Sequence, residues 1–203
     1  MRYYPAMLNL EKKKVLLIGL GAVGLRKLTA LFDTGAEIFV IAGKRGRSEE
    51  QIIKALCRKY PGRSEKELDV FLQALRISRE DFSFERHENL LKQAQMILLC
   101  TNDGPLQLAV RRYARQRGIW TLRCDLGEDS DFISPAVVED GPLQIAVSSS
   151  GSNPSFSKEV RAKIEDFMQG LEPPPPRSMK SEKTQEKEPL RQKSPLRQDR
   201  GCQ

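Results

Sequence analysis

The 203-residue chain has one histidine, four cysteines and one tryptophan, and aromatic residues make up only 6% of it. A single imidazole, His87, rules out a histidine-rich metal site. Cys57, Cys100, Cys124 and Cys202 lie far apart and form no Cys-x-x-Cys pair, so they read as reduced thiols of a cytoplasmic protein. No apolar run reaches about 18 residues, which leaves no candidate for a membrane-spanning helix. The opening segment MRYYPAMLNLEKKK lacks a continuous apolar core and a small-residue cleavage site, and no signal peptide is expected. No basic stripe is interleaved with aromatics, so the formal net charge of +7 is a poor argument for nucleic acid and at most a weak pointer to an anionic ligand. Part of that charge sits beyond residue 170, where eight Lys/Arg face five Asp/Glu.

What is present begins with the apolar run VLLI, followed at once by GLGAVG. Gly19, Gly21 and Gly24 have the spacing G-x-G-x-x-G, and Gly19, Leu20, Gly21, Ala22, Val23 and Gly24 form the expected cofactor-binding turn. A buried strand over 14–18, a helix carrying Val23, Leu28, Leu31 and Phe32, a stop at Gly35 and a strand over 37–42 make one βαβ unit. The acid expected on a ribose 2′-hydroxyl is missing after that second strand, where Lys44, Arg45 and Arg47 stand instead. Two readings stand: these cations accept the 2′-phosphate of NADP, or they form a solvated loop.

Residues 44–80 read as a charged helical insertion with helices near 49–59 and 64–75, capped by Ser48 and Ser64. A strand is expected near 82–86, then a short helical stretch NLLKQA, a buried strand over 96–100 and a helix over 106–118. The order supports an α/β, Rossmann-like, doubly wound parallel sheet. After Trp120 the texture changes to two strands, 133–138 and 143–148, joined by a Glu139–Asp140–Gly141 turn, then a helix capped by Asn153, opened by Pro154 and stopped by Gly170. Its stripe of Phe156, Val160, Ile164 and Phe167 needs a partner surface, because strand–strand–helix is too small to core itself. From residue 171, PPPP and alternating charges with almost no large apolar residues argue a disordered tail.

Three further groups can carry chemistry. Thr101, Asn102 and Asp103 sit at the carboxyl end of a strand, where α/β sheets place ligands; the competing reading is a capped helix start at Asn102 or Asp103. Asp125, Glu128, Asp129 and Asp131 cluster within seven residues, as a general base and its neighbours or as a solvated acidic loop. They lack the spacing of a calcium loop, and no metal site is expected. SSSGSNPS, from Ser148 to Ser155, places hydroxyls and a glycine between a strand and a helix start, which suits a carboxylate or phosphate; the alternative is a linker with redundant caps.

Together these segments resemble the precorrin-2 dehydrogenase / sirohydrochlorin ferrochelatase family of sirohaem synthesis. The resemblance rests on YPAMLNL with KKKVLLIGLG, on Arg26-Lys27, on the stretch 101–125, and above all on DFISPA and GPLQIAVSSSG. It covers residues 1–43 and about 82–168. It implies an NAD-dependent oxidation of the tetrapyrrole precorrin-2 to sirohydrochlorin, with Asp125 as general acid or base and NADP left open. It also implies that Ser148, Ser149 and Gly151 meet substrate carboxylates, and that the strand–strand–helix unit forms a homodimer. Glu128 and Asp129 then read as solvated. The sequence departs from the family at Leu122, Arg123 and Cys124, where Asn-Val-Val is usual, and at Ser130, where the family has Cys. The family continues into a helical domain where this chain has its proline run, so chelatase activity is expected to be weak or absent. The expected division is 1–120 for the NAD(P)-binding domain, 121–170 for the dimerisation and substrate unit, and 171–203 for the tail. Two rival functions are a nucleotide-sensing regulatory module and a tetrapyrrole-carrying scaffold; neither nucleic acid nor membrane is an expected partner.

Overall fold

Val15, Leu16, Leu17 and Ile18 are all buried, so side chains leaving both faces of the first strand find cover. That pattern belongs to a central strand of a parallel sheet rather than to an edge. The computed structural model describes residues 3–124, 129–141 and 143–169, which belong to one compact unit. Its parallel strands are β1 (Lys14–Ile18), β2 (Glu37–Ile41), β3 (Arg76–Ser78), β4 (Met96–Leu99) and β5 (Trp120–Arg123). They lie in the order β3-β2-β1-β4-β5. Successive crossovers run outward from β1 in one direction and then return to its other side at β4. The chain therefore reverses its winding between β1 and β4, and a crevice opens at their carboxyl ends.

Helices cover both faces. Leu28 of α1 (Ala22–Ala30), Ile52 and Leu56 of α2 (Glu49–Lys59) and Leu68 of α3 (Glu65–Ala74) pack with Val15 and Leu17 in one core. Leu91 of α4 (Phe84–Gln93) and Val110 and Ala114 of α5 (Gly104–Arg115) pack with Leu16 and Ile18 in the other. The doubly wound Rossmann-like fold expected from the strand and helix pattern is the one present.

Ser48 and Ser64 each close a capping box, with Gln51 and Glu67 reaching back. Residues 44–80 are more than an appended insertion, because α2 and α3 form the crossover from β2 and deliver β3. The strand expected near 82–86 lies instead at Arg76–Ser78, and Phe84 opens α4. Phe82 and Phe84 alternate as strand residues do, but Ser83 accepts from the Arg86 amide and starts a helix. The expected boundary at 120/121 falls inside β5.

Beyond the sheet, β6 (Ala136–Asp140) pairs antiparallel with β7 (Leu143–Val147), and α6 (Pro154–Met168) packs on that hairpin. Gly170 and the proposed tail lie outside the described residues. No helix among the described residues is long and apolar enough to cross a membrane.

Candidate functional site at the carboxyl end of the sheet

The three fingerprint glycines meet three different surroundings. Gly19 has φ +95°, and a Cβ there would stand 2.7 Å from the Cys100 carbonyl carbon and the Thr101 nitrogen. A Cβ on Gly24 would stand 2.0 Å from the Gly19 carbonyl oxygen. Gly21 has nothing within 4 Å of its Cβ position, so the space above it is open. Gly21 is also the N-cap of α1; no side chain caps that end, and no acid lies in its first turn. The positive end of the α1 dipole and its first N–H groups are thus left to an external anion. Leu20 is buried and Ala22 and Val23 open the helix. The turn fits a dinucleotide pyrophosphate: Gly19 and Gly24 are glycines for internal packing, Gly21 for access.

The loop after β2 closes over this turn, with the Arg47 amide donating to the Leu20 carbonyl at 2.9 Å. Arg79 Nη1 donates to the Arg47 carbonyl at 2.6 Å and holds the loop from the β3 side. Asp81 Oδ1 accepts from the Lys44 amide at 3.4 Å and would lie 2.9 Å from a Cβ on Gly43. An acidic group therefore does reach the end of β2, but from the segment after β3. No local pattern around residue 43 announces it. Lys44 and Arg45 are exposed, and Arg47 is half-buried.

On the other side of the crevice, Thr101 lies against Gly19, and its carbonyl accepts from Gln107 Nε2 at 2.6 Å. Asp103 Oδ1 accepts from the Leu106 amide at 2.9 Å, so this carboxylate is the N-cap of α5. Thr101 and exposed Asn102 are left as the pair beside the glycine turn. Cys100 and Cys124, the residues just after β4 and β5, bring their sulfurs within 3.3 Å. Burial pulls the nearby Lys27 ammonium below its ordinary range, opposed by the charge of these two thiols in their ionised form.

Asp125 and Glu128 lie outside the described residues. The chain that returns from them is strapped to the sheet by Arg111, which is only 4% exposed. Its Nη1 and Nη2 meet Asp131 Oδ2 and Oδ1 at 2.6 and 2.8 Å, and Nη1 also donates to Thr121 Oγ1 at 2.6 Å. Asp129 is paired with Arg123 Nη1 at 2.9 Å and with Arg111 Nε at 3.4 Å. The reading of Asp129 as a solvated acid is thereby corrected: two buried guanidiniums hold it. Partial burial works against the Asp131 carboxylate, but Arg111 and the Thr121 amide hold it below the ordinary carboxylate range. The Arg111–Asp131 pair spans 20 residues, which is why no sequence pattern reveals it.

The serine loop is ordered by its own bonds. Ser148 Oγ accepts from the Ser150 amide at 3.0 Å, and Ser149 Oγ accepts from the Asn153 amide and the Ser157 hydroxyl, both at 3.0 Å. Ser150 and Gly151 take φ +54° and +82°. Each acceptor serine keeps its own hydroxyl hydrogen to donate. Among the described residues, the hydrogen bonds of this loop stay within the loop and the start of α6 and none reaches the glycine turn. A shallow groove between α1 and α2 begins at Ala22 and is edged by Arg26, Arg58 and Lys59. Among the described residues no cluster of acids, cysteines and histidine suits a metal ion.

An NAD(P)-binding family model matches residues 6–136, and that of the sirohaem biosynthesis protein central segment matches residues 140–166. The protein named siroheme synthase from Nitrosococcus oceani is 28% identical over 83% of this chain and 31% of its own length. Siroheme synthase from Methylococcus capsulatus is 30% identical over 81% of this chain and 30% of its own length. The chain thus spans less than a third of the curated relatives it matches. The solved structure of SirC, precorrin-2 dehydrogenase, superposes with a TM-score of 0.60 at 22% identity, covering 82% of this chain and 74% of that one, and shares the fold.

Proposed function

The chain belongs to the NAD(P)-binding family whose model spans residues 6–136, continued at 140–166 by the central segment of sirohaem biosynthesis proteins, and on that premise we propose that it oxidises precorrin-2 to sirohydrochlorin with NAD. The glycine turn carries the reading: an uncapped helix N-terminus, with open space at Gly21, stands at the point where the sheet reverses its winding. The turn Gly19, Leu20, Gly21, Ala22, Val23 and Gly24 holds the pyrophosphate through the backbone N–H groups at the start of α1, the Gly19 N–H being engaged by the Ile41 carbonyl. Thr101 and Asn102 flank the nicotinamide, while Asp103 fixes them by capping α5. When bound, the nicotinamide ring supplies the hydride acceptor. The substrate then has a proton to lose, and Asp125 is the base for it. Ser148, Ser149 and the Gly151 backbone donate to substrate carboxylates, and the basic rim of Arg26, Arg58 and Lys59 attracts the same polyanion. Asp81 beside Gly43 supports NAD over NADP, because a carboxylate accepts from ribose hydroxyls and repels a 2′-phosphate.

Anaerobic turnover of precorrin-2 with NAD, followed by the tetrapyrrole absorbance, tests the activity. Sirohydrochlorin is expected to form with the wild type and to be lost in Asp125→Ala at unchanged NAD affinity. Binding of NAD without turnover sinks the dehydrogenase reading in favour of a sensor. Full activity in Asp125→Ala sinks only the role of that residue. Asp81→Asn is expected to narrow the preference for NAD over NADP about tenfold, on the order of 1.4 kcal/mol. An unchanged ratio in the two titrations removes Asp81 from cofactor selection.

A further inference from the structure

Cys100 follows β4 and Cys124 follows β5, one step beyond the paired residues Leu99 and Arg123. The ladder continues past the strand ends: the Cys100 amide donates to the Ile18 carbonyl at 2.8 Å and the Cys124 amide to the Leu99 carbonyl at 3.0 Å. The two residues are thus held as lateral neighbours. Adjacent strands lie about 4.8 Å apart, inside the Cα separation of roughly 4.4–6.8 Å that a disulfide bridges. The sulfurs, at 3.3 Å, need to close by only about 1.2 Å to reach bonding distance. Cys100 is 8% exposed and Cys124 is half-buried, so a reagent reaches Cys124 first. The hydrogen bond to Cys124, together with burial, pushes the Cys100 thiol well above the ordinary range, which suits Cys100 to the second, resolving attack. The Lys27 ammonium acts on both sulfurs, and a positive charge beside a thiol favours its thiolate.

We propose that Cys100 and Cys124 form a thiol–disulfide exchange site that reacts with small disulfides such as oxidised glutathione. The Cys124 thiolate attacks one sulfur of the small disulfide, breaking its S–S bond and releasing one thiolate. Cys100 then gives its proton to solvent, and its sulfur attacks the Cys124 sulfur of the mixed disulfide, releasing the second thiolate. Two protein thiols are oxidised by two electrons, and one small disulfide is reduced to two thiols. The new bond sits directly behind the cofactor turn, since the Cβ of Cys100 lies 3.4 Å from a Cβ placed on Gly24. The proposal goes beyond the dehydrogenase reading and does not depend on it.

The test equilibrates the full chain in glutathione buffers spanning about −300 to −180 mV, quenches in acid, and counts thiols by maleimide labelling of the denatured chain. Four labels per reduced chain are expected to fall to two, with the missing pair mapped to a Cys100–Cys124 link. The Cys57→Ser/Cys202→Ser variant is expected to go from two labels to none, and Cys124→Val to form no internal link. Four labels across the whole range, a glutathione adduct on Cys124 that never resolves, or a bridge using Cys57, Cys202 or a second chain each overturns the proposal.

Discussion

Single residues in the glycine turn divide into those the protein itself requires and those a ligand requires. A methyl on Gly24 would meet the Gly19 carbonyl oxygen at 2.0 Å, and neither backbone segment can yield without moving β1 from α1. Gly24→Ala is therefore expected to lower the melting temperature, by an amount equivalent to about 1–3 kcal/mol. A methyl on Gly21 meets nothing, so Gly21→Ala is expected to melt as the wild type does while losing dinucleotide affinity tenfold or more. Thermal melts paired with NAD titration check both. Wild-type affinity in Gly21→Ala would remove the pyrophosphate from this turn. A second residue-scale expectation concerns Tyr60, whose hydroxyl lies between Lys59 Nζ at 2.7 Å and the Thr29 carbonyl at 3.2 Å. Burial, with Glu139 nearby, pushes its phenol up to about 12. A folded value above the unfolded one of about 10 stabilises the fold below that pH, and the contribution is lost as pH rises toward 12. In an ultraviolet phenolate titration one tyrosine should ionise late, and Tyr60→Phe should delete that step.

At the scale of elements, the strap between α5, β5 and residues 129–131 is the feature whose loss travels furthest. Asp131→Asn replaces the two-pronged carboxylate partner of the buried Arg111 guanidinium with a neutral amide and is expected to destabilise by about 1–3 kcal/mol, below the full cost of breaking a buried pair because Asp129 still pairs with Arg111 Nε and the Asp131 side chain keeps 32% exposure. Since pairing lowers the Asp131 value, its stabilisation is present above the unfolded carboxylate range near 4 and is lost as pH falls below it. The gap in melting temperature between wild type and Asp131→Asn should therefore shrink on acidification; a gap independent of pH would show that the ion pair is not its source. Elements with a local signal were legible in the sequence: VLLI with its glycines, the serine caps of α2 and α3, and Asp103 before Pro105. β3 was not, because Arg76–Ser78 is three residues long and has no alternating pattern, whereas Phe82 and Phe84 do alternate and are claimed by a Ser83 cap. Asp81 and the Arg111 strap were invisible for a different reason. Their partners are 37 and 20 residues away, and only the crossover geometry brings them together.

At the scale of the whole molecule, apolar surface is left unspent on the β6–β7–α6 unit. Val137, Leu143, Phe156 and Phe167 are 36%, 47%, 56% and 68% exposed, although the latter two belong to the stripe that the helix spacing marks as buried. A two-stranded hairpin with one helix cannot enclose four such side chains, and a second copy of the same unit offers them a self-complementary surface. A stable pairing of this kind removes about 800 Å² from each partner. The chain is accordingly expected to sediment as a dimer at micromolar concentration, and Phe156→Asp/Phe167→Asp to sediment as a monomer. These substitutions lie outside the five-stranded sheet and its glycine turn, so NAD affinity should persist in the monomer while turnover falls if the substrate site draws on both copies. Analytical ultracentrifugation of the two proteins, with NAD titration on the same samples, separates the cases: a monomeric wild type ends the dimer expectation, and a monomeric variant with full turnover confines the reaction to one chain.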